Sequence, residues 1–90
     1  MSKILIADDA AFMRMLIKNS LSKQGYTDII EAADGQIACE QYRIEHPDLV
    51  FMDITMPNKT GLEALAEIRK LDPSSKVVMC SATVSYTHLP

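Results

Sequence analysis

The sequence holds only two cysteines, Cys39 and Cys80, too few and too far apart for a disulfide framework or a zinc pattern. Each sits among apolar neighbours, where cysteine behaves as a small hydrophobe, and both are read as buried thiols. His46 and His88 are just as isolated, with no partner at metal-ligand spacing, so His46 is read as a helix-end residue. Lysines and arginines are scattered without a basic stripe and the formal net charge is -3, which excludes nucleic-acid binding driven by phosphate neutralisation through this segment. No apolar run approaches the roughly 20 residues that span a bilayer, and no signal-peptide pattern opens the chain. A cytoplasmic location with no membrane partner is therefore expected. The glycine-lysine loop that cradles nucleotide phosphates is missing too, so a nucleotide is not the obvious phosphoryl donor.

What is present is the make-up of one ordinary globular domain: 90 residues, 48% hydrophobic and 23% charged. A domain this small buries only a moderate share of its surface, so nearly every apolar residue has to be well placed.

Apolar spacing divides the chain into alternating elements. Ile4-Leu5-Ile6-Ala7 is a continuous apolar run ending abruptly in Asp8-Asp9, as in a strand buried on both faces with charge at its tip. From Ala11 to Lys23 the period changes, and Met13, Leu16, Ile17, Ser20 and Leu21 mark one face of a helix that Gly25 closes in a left-handed cap. Thr27–Ala32 reads as a second strand, less uniformly apolar and so placed at a sheet edge; Asp34-Gly35 then opens a helix running to about Glu45, before Pro47. Leu49-Val50-Phe51-Met52 is the most hydrophobic strand and also ends in a carboxylate, Asp53. After the loop Met56–Lys59, Thr60-Gly61-Leu62-Glu63 has the spacing of a capping box. It starts a third helix whose inner stripe is expected to be Leu62, Leu65, Ala66 and Ile68. Val77–Cys80 is a fourth strand, followed by Ser81.

Strands alternating with helices in this way pair in parallel through right-handed crossovers, and ligands of such open sheets bind at the carboxyl ends of the strands. Three of the four strand ends carry polar groups: Asp8-Asp9, Asp53 and Ser81. If the first and third strands are neighbours, Asp8, Asp9 and Asp53 converge, and their repulsion calls for a divalent cation. Magnesium suits such a site because it takes oxygen ligands and is bound by one or two carboxylates together with phosphate groups. A carboxylate can itself be the nucleophile that forms an aspartyl phosphate, and Ser81 could donate a hydrogen bond to a phosphoryl oxygen. The plainer readings are that Asp9 merely caps the first helix and that Ser81 is an ordinary loop residue. Asp53 is harder to explain without a function, because a carboxylate directly after a central apolar strand is costly to bury.

The runs Ile4–Asp9, Ala32–Gly35 and Asp48–Asp53, with Met56-Pro57, Gly61 and Val77–Ala82, strongly resemble the response-regulator receiver family of two-component signalling. The match covers residues 1–83. The resemblance implies an α/β, flavodoxin-like doubly wound parallel sheet, here limited to about four strands in the order 2-1-3-4 and three helices. It implies that Asp53 accepts phosphate from a histidine kinase, with Mg2+ held by Asp9, Asp53 and the Thr55 backbone carbonyl and by Asp8 through water. Ser81 becomes the switch hydroxyl, and Thr55 and Thr83 occupy the positions that tune hydrolysis of the aspartyl phosphate. The domain is then not an enzyme beyond its own phosphorylation and dephosphorylation. Ala11-Phe12-Met13-Arg14 is most like chemotaxis-type members, which implies a flagellar-motor protein or a phosphatase as partner.

The chain departs from the family beyond the fourth strand. The fifth strand and the lysine that contacts the phosphoryl group have no match, since Lys59 belongs to a loop and Lys76 to a strand start. Residues 84–90 are read as a non-native tail of the kind left by read-through into a library adapter, or else as a short divergent tail. The fourth strand is then expected to be an open edge through which the chain self-associates. A magnesium-dependent phosphohydrolase is the competing reading, but it wants an acid two positions after the nucleophile, where Thr55 stands. A receiver fragment of a longer DNA-binding regulator and a degenerate, non-phosphorylated interaction module are the others.

Overall fold

The two apolar runs that end in carboxylates become neighbouring strands at the centre of one sheet. The computed structural model describes residues 2–80, so Ser81, Thr83 and the expected tail at 84–90 lie outside the described residues. The elements are β1 (Lys3–Ala7), α1 (Ala11–Lys23), β2 (Asp28–Ala32), α2 (Gly35–Glu45), β3 (Leu49–Asp53), α3 (Gly61–Leu71) and β4 (Val77–Cys80). The strands pair in parallel in the order β2-β1-β3-β4. That is the doubly wound arrangement expected from the sequence. β2 forms one edge of the sheet, and β4 the other among the described residues.

The pleat sorts the core onto two faces. Leu5 and Ala7 of β1, with Val50 and Met52 of β3, pack with Ala38, Cys39 and Tyr42 of α2 and Ala64 and Ile68 of α3 in one fully buried cluster. The opposite face carries Ile4 and Ile6, both buried, and Leu49 and Phe51, both half-buried. Right-handed crossovers put α1 on this second face, and α1 has no fully buried residue. Phe12, Met15 and Leu16 remain 64%, 47% and 42% exposed. The two faces of the sheet are thus unequally sealed.

Helix ends follow local chemistry. α1 closes with the Tyr26 N–H on the Leu21 carbonyl and the Gly25 N–H on the Ser22 carbonyl, a Schellman arrangement that needs the positive φ of Gly25 (92°). α2 ends at His46, the expected helix-end histidine, which adopts the left-handed conformation. α3 begins with the capping box predicted at Thr60 and Glu63. Its buried stripe differs from expectation. Gly61, Ala64 and Ile68 face the sheet, whereas Leu62 and Ala66 point to solvent. The small residues lie inward because the start of α3 passes so close to β3 that Gly61 has no room for a side chain. Cys39 is buried as expected, but Cys80 is half-exposed at the end of β4, and both thiols are free.

Candidate functional site

β1 and β3 run in register from Ile4 beside Leu49 to Ala7 beside Met52. One residue further along, Asp8 directly follows β1 and Asp53 ends β3. By the pleat, both carboxylates leave the sheet on the face that carries α1. Asp9 follows in the turn to the helix, and a carboxylate oxygen from each of Asp8, Asp9 and Asp53 lies within 4.8 Å of the others. The cluster sits between β1 and β3, where the strand order reverses and an open α/β sheet forms its natural cleft.

This geometry raises the energy of the ionised cluster. Burial pushes the Asp53 carboxyl above the ordinary carboxylate range, and the charges of Asp8 and then Asp9 add to it. The backbone N–H groups of Thr55 and Ile54 pull it partly back. Three convergent, hard oxygen donors, two of them only partly exposed, are the ligand chemistry of a small divalent cation. The residues present therefore fit Mg2+.

The surrounding backbone holds the Asp8 turn in place. The Asp8 N–H donates to the Ala32 carbonyl at 3.0 Å, and Asp8 Oδ1 accepts the Ala10 N–H at 2.9 Å. The capping role considered for Asp9 is not seen: Ala10 is the N-cap of α1, with no side-chain cap. Arg14, in the first turn of α1, reaches back to donate to the Asp8 carbonyl at 2.6 Å and to Glu31 Oε1 at 3.0 Å.

On the β3 side, the Ile54 N–H donates to the Cys80 carbonyl and the Ile54 carbonyl accepts the Gly61 N–H. A Cβ at Gly61 would collide with the Asp53 carbonyl, so only glycine lets α3 begin there. Asp34 caps α2 through the Ile37 N–H and also accepts the Asn58 side-chain amide at 2.7 Å. These bonds hold the Asp34 carboxyl below the usual range, the Ile37 N–H contributing most. The N-terminus of α2 thereby anchors the loop that follows Asp53.

Asp8, Asp9 and Asp53, predicted separately from their strand ends, are thus brought together. Thr55 is exposed two residues after Asp53. Ser81 and Thr83 lie outside the described residues, although Cys80, directly before Ser81, pairs in register with Asp53. Lys59 is paired with Glu67, and Lys76 lies at the start of β4, at the far end of the sheet. Sequence reasoning missed Arg14 and Asn58. Arg14 could have been suspected, since a residue in the first helical turn points its side chain back toward the helix start. Nothing in the sequence signalled Asn58.

Comparison with known proteins gives a consistent result. Residues 4–89 match the family model described as the response regulator receiver domain. The chain is 50% identical over 80 residues to the chemotaxis protein CheY of Thermotoga maritima, covering 89% of this chain and 67% of the relative. CheY in the CheX-CheY-BeF3-Mg2+ complex from Borrelia burgdorferi superposes with a TM-score of 0.87 at 34% identity, over 90% of this chain and 62% of that one. The response regulator TrrA of Thermotoga maritima, in complex with Mg2+ and beryllium fluoride, gives 0.89 at 37% identity, over 96% and 74%. The chain therefore spans about two thirds of the length of these relatives.

Proposed function

Because the chain belongs to the response regulator receiver domain family, and is CheY-like within it, we propose that Asp53 is its phosphoacceptor in a two-component phosphorelay. The observation that carries this reading is the convergence of Asp8, Asp9 and Asp53 at the β1/β3 cleft. In the step proposed, an Asp53 carboxylate oxygen attacks the phosphorus of a phosphohistidine on a kinase. The new P–O bond forms as the P–N bond breaks, and the imidazole leaves with a proton from solvent.

Asp9 and Asp53, together with the Thr55 carbonyl, would hold Mg2+, with Asp8 completing the acidic pocket. When bound, the ion neutralises charge on the phosphoryl oxygens. The structures of CheY and TrrA with magnesium and beryllium fluoride support a magnesium-dependent phosphoryl site in this chain by similarity. The protein's own contribution is positional: the Ile54 N–H and carbonyl tie the backbone after Asp53 to Cys80 and Gly61, and the Asp34–Asn58 bond steadies the loop beside it. Ser81, next after the register partner of Asp53, is the hydroxyl assigned to a phosphoryl oxygen.

The likeness to CheY supports a chemotaxis-type output, with a flagellar-motor protein or a phosphatase as partner and switching by phosphorylation of this surface. No helix among the described residues is long and apolar enough to cross a membrane. The reading is tested by incubating the protein with Mg2+ and acetyl phosphate and measuring intact mass. A magnesium-dependent, base-labile phosphoryl adduct that Asp53→Asn abolishes is expected. Equal labelling of the wild type and Asp53→Asn would refute the assignment.

A further inference from the structure

Asp8 directly follows β1 along the backbone and belongs to the carboxylate cluster by its side chain, so whatever fixes its backbone fixes part of the site. Its N–H is held by the Ala32 carbonyl of β2, and its side chain accepts the Ala10 N–H. The third restraint is Arg14, whose Nη1 donates to the Asp8 carbonyl at 2.6 Å while Nε donates to Glu31 Oε1 at 3.0 Å. The backbone N–H of Arg14 closes the same turn on the Ala10 carbonyl at 3.1 Å. Only 16% of the Arg14 side chain is exposed, although it stands on a helix with no fully buried residue. A long cation held this far from solvent on so loosely packed a helix has a specific task.

We infer that Arg14 is a positioning residue that clamps the Asp8–Ala10 turn to β2 and so makes the carboxylate cluster rigid enough to prefer Mg2+ over Ca2+. The inference rests on the metal-binding reading of that cluster. Magnesium demands near-ideal octahedral geometry at short distances, whereas calcium accepts longer, irregular and more numerous oxygen ligands. A turn held by three hydrogen bonds suits the first ion, and a loosened turn suits the second better. The clamp needs the planar fork of arginine, which bonds two partners at once; the single ammonium of lysine does not reproduce it.

Charge alone predicts the opposite outcome. Arg14 is a cation close to the cluster, and its removal takes that positive charge away, leaving Glu31 paired with Lys18. On electrostatics alone, Arg14→Ala would bind every divalent cation more tightly. If positioning governs, Mg2+ binding weakens in spite of the lost positive charge, and Ca2+ binding weakens less.

The test is calorimetric titration of the full chain with MgCl2 and, separately, CaCl2, for the wild type, Arg14→Ala and Arg14→Lys, with apo melting temperatures alongside. Loss of a partner that orients a ligand typically weakens metal binding tenfold or more. Arg14→Ala is therefore expected to lose roughly tenfold in Mg2+ affinity, with a smaller loss for Ca2+. Arg14→Lys is expected to follow it, and carries the test alone if Arg14→Ala does not fold. Unchanged or tighter Mg2+ binding overturns the inference, as does an equal loss for both ions or full rescue by lysine. If the wild type itself binds no Mg2+, the metal-binding reading fails first and the inference falls with it.

Discussion

At the scale of single residues, Asp53 combines two demands that conflict in the metal-free protein. It ends a central strand whose Val50 and Met52 are fully buried, yet it carries a charge beside two other carboxylates. Burial and the charge of Asp8 raise its proton affinity in the folded chain above that in the unfolded chain. A raised folded value means that its contribution to stability is full below the unfolded value and is lost as pH rises through the folded one. Without divalent ions, Asp53→Asn should therefore melt higher than the wild type at neutral pH, and the gap should close as pH falls below the ordinary carboxylate range. Thermal melts across that range in chelator check this; a variant that melts lower at neutral pH contradicts it. Added Mg2+ should raise the wild-type melting temperature and leave Asp53→Asn much less affected, since only a state that binds the ion gains from it.

At the scale of elements, the helix starts do more to place the site than the helix faces. The Thr60–Glu63 capping box fixes where α3 begins, and Gly61 then passes against the Asp53 carbonyl. Thr60→Ala should cost about 1 kcal/mol, the usual worth of an N-cap, measured by urea denaturation. No loss of stability would mean that the cap is redundant. These starts were legible in the sequence, because a capping box, a glycine after aspartate and a proline past a helix end are local signals. The strand tips were legible for a different reason: Asp8-Asp9 and Asp53 each interrupt a continuous apolar run. The inward face of α3 was not. Its periodic leucines pointed to Leu62 as a core residue, but the close approach at Gly61 rotates the helix so that Ala64 and Ile68 fill the space. Close backbone packing is a tertiary fact, and the pattern of apolar residues does not record it. The Asn58–Asp34 and Arg14–Glu31 bonds were hidden for the same reason, since each joins segments that meet only after folding.

For the whole molecule, the consequence is a sheet with one sealed face and one thinly covered face. Ile68, Val50 and Met52 lie in the continuous cluster under α2 and α3, whereas α1 covers its face with side chains that all keep some exposure. Ile68→Ala should cost about 2–5 kcal/mol, as expected when a fully buried aliphatic side chain leaves a cavity. Leu16→Ala, on the outer part of α1, should change stability by no more than roughly 0.5 kcal/mol. Paired urea titrations decide it, and comparable costs at the two positions would show that the α1 face is as tightly packed as the other. The two sides of the sheet thus have separate roles. The face under α2 and α3 carries the stability, and the strand ends on the α1 side carry the carboxylates.

The central claim is that the phosphoryl group goes to Asp53 and not to its two neighbours. The most direct test is to phosphorylate the protein with acetyl phosphate and Mg2+, reduce the acyl phosphate with borohydride, and sequence the peptides by mass spectrometry. Reduction turns the labelled aspartate into homoserine and leaves unmodified carboxylates untouched. Homoserine at position 53, with aspartate retained at positions 8 and 9, is the result predicted. Homoserine at position 8 or 9, or at none of the three in a protein that carries the adduct, would contradict the account.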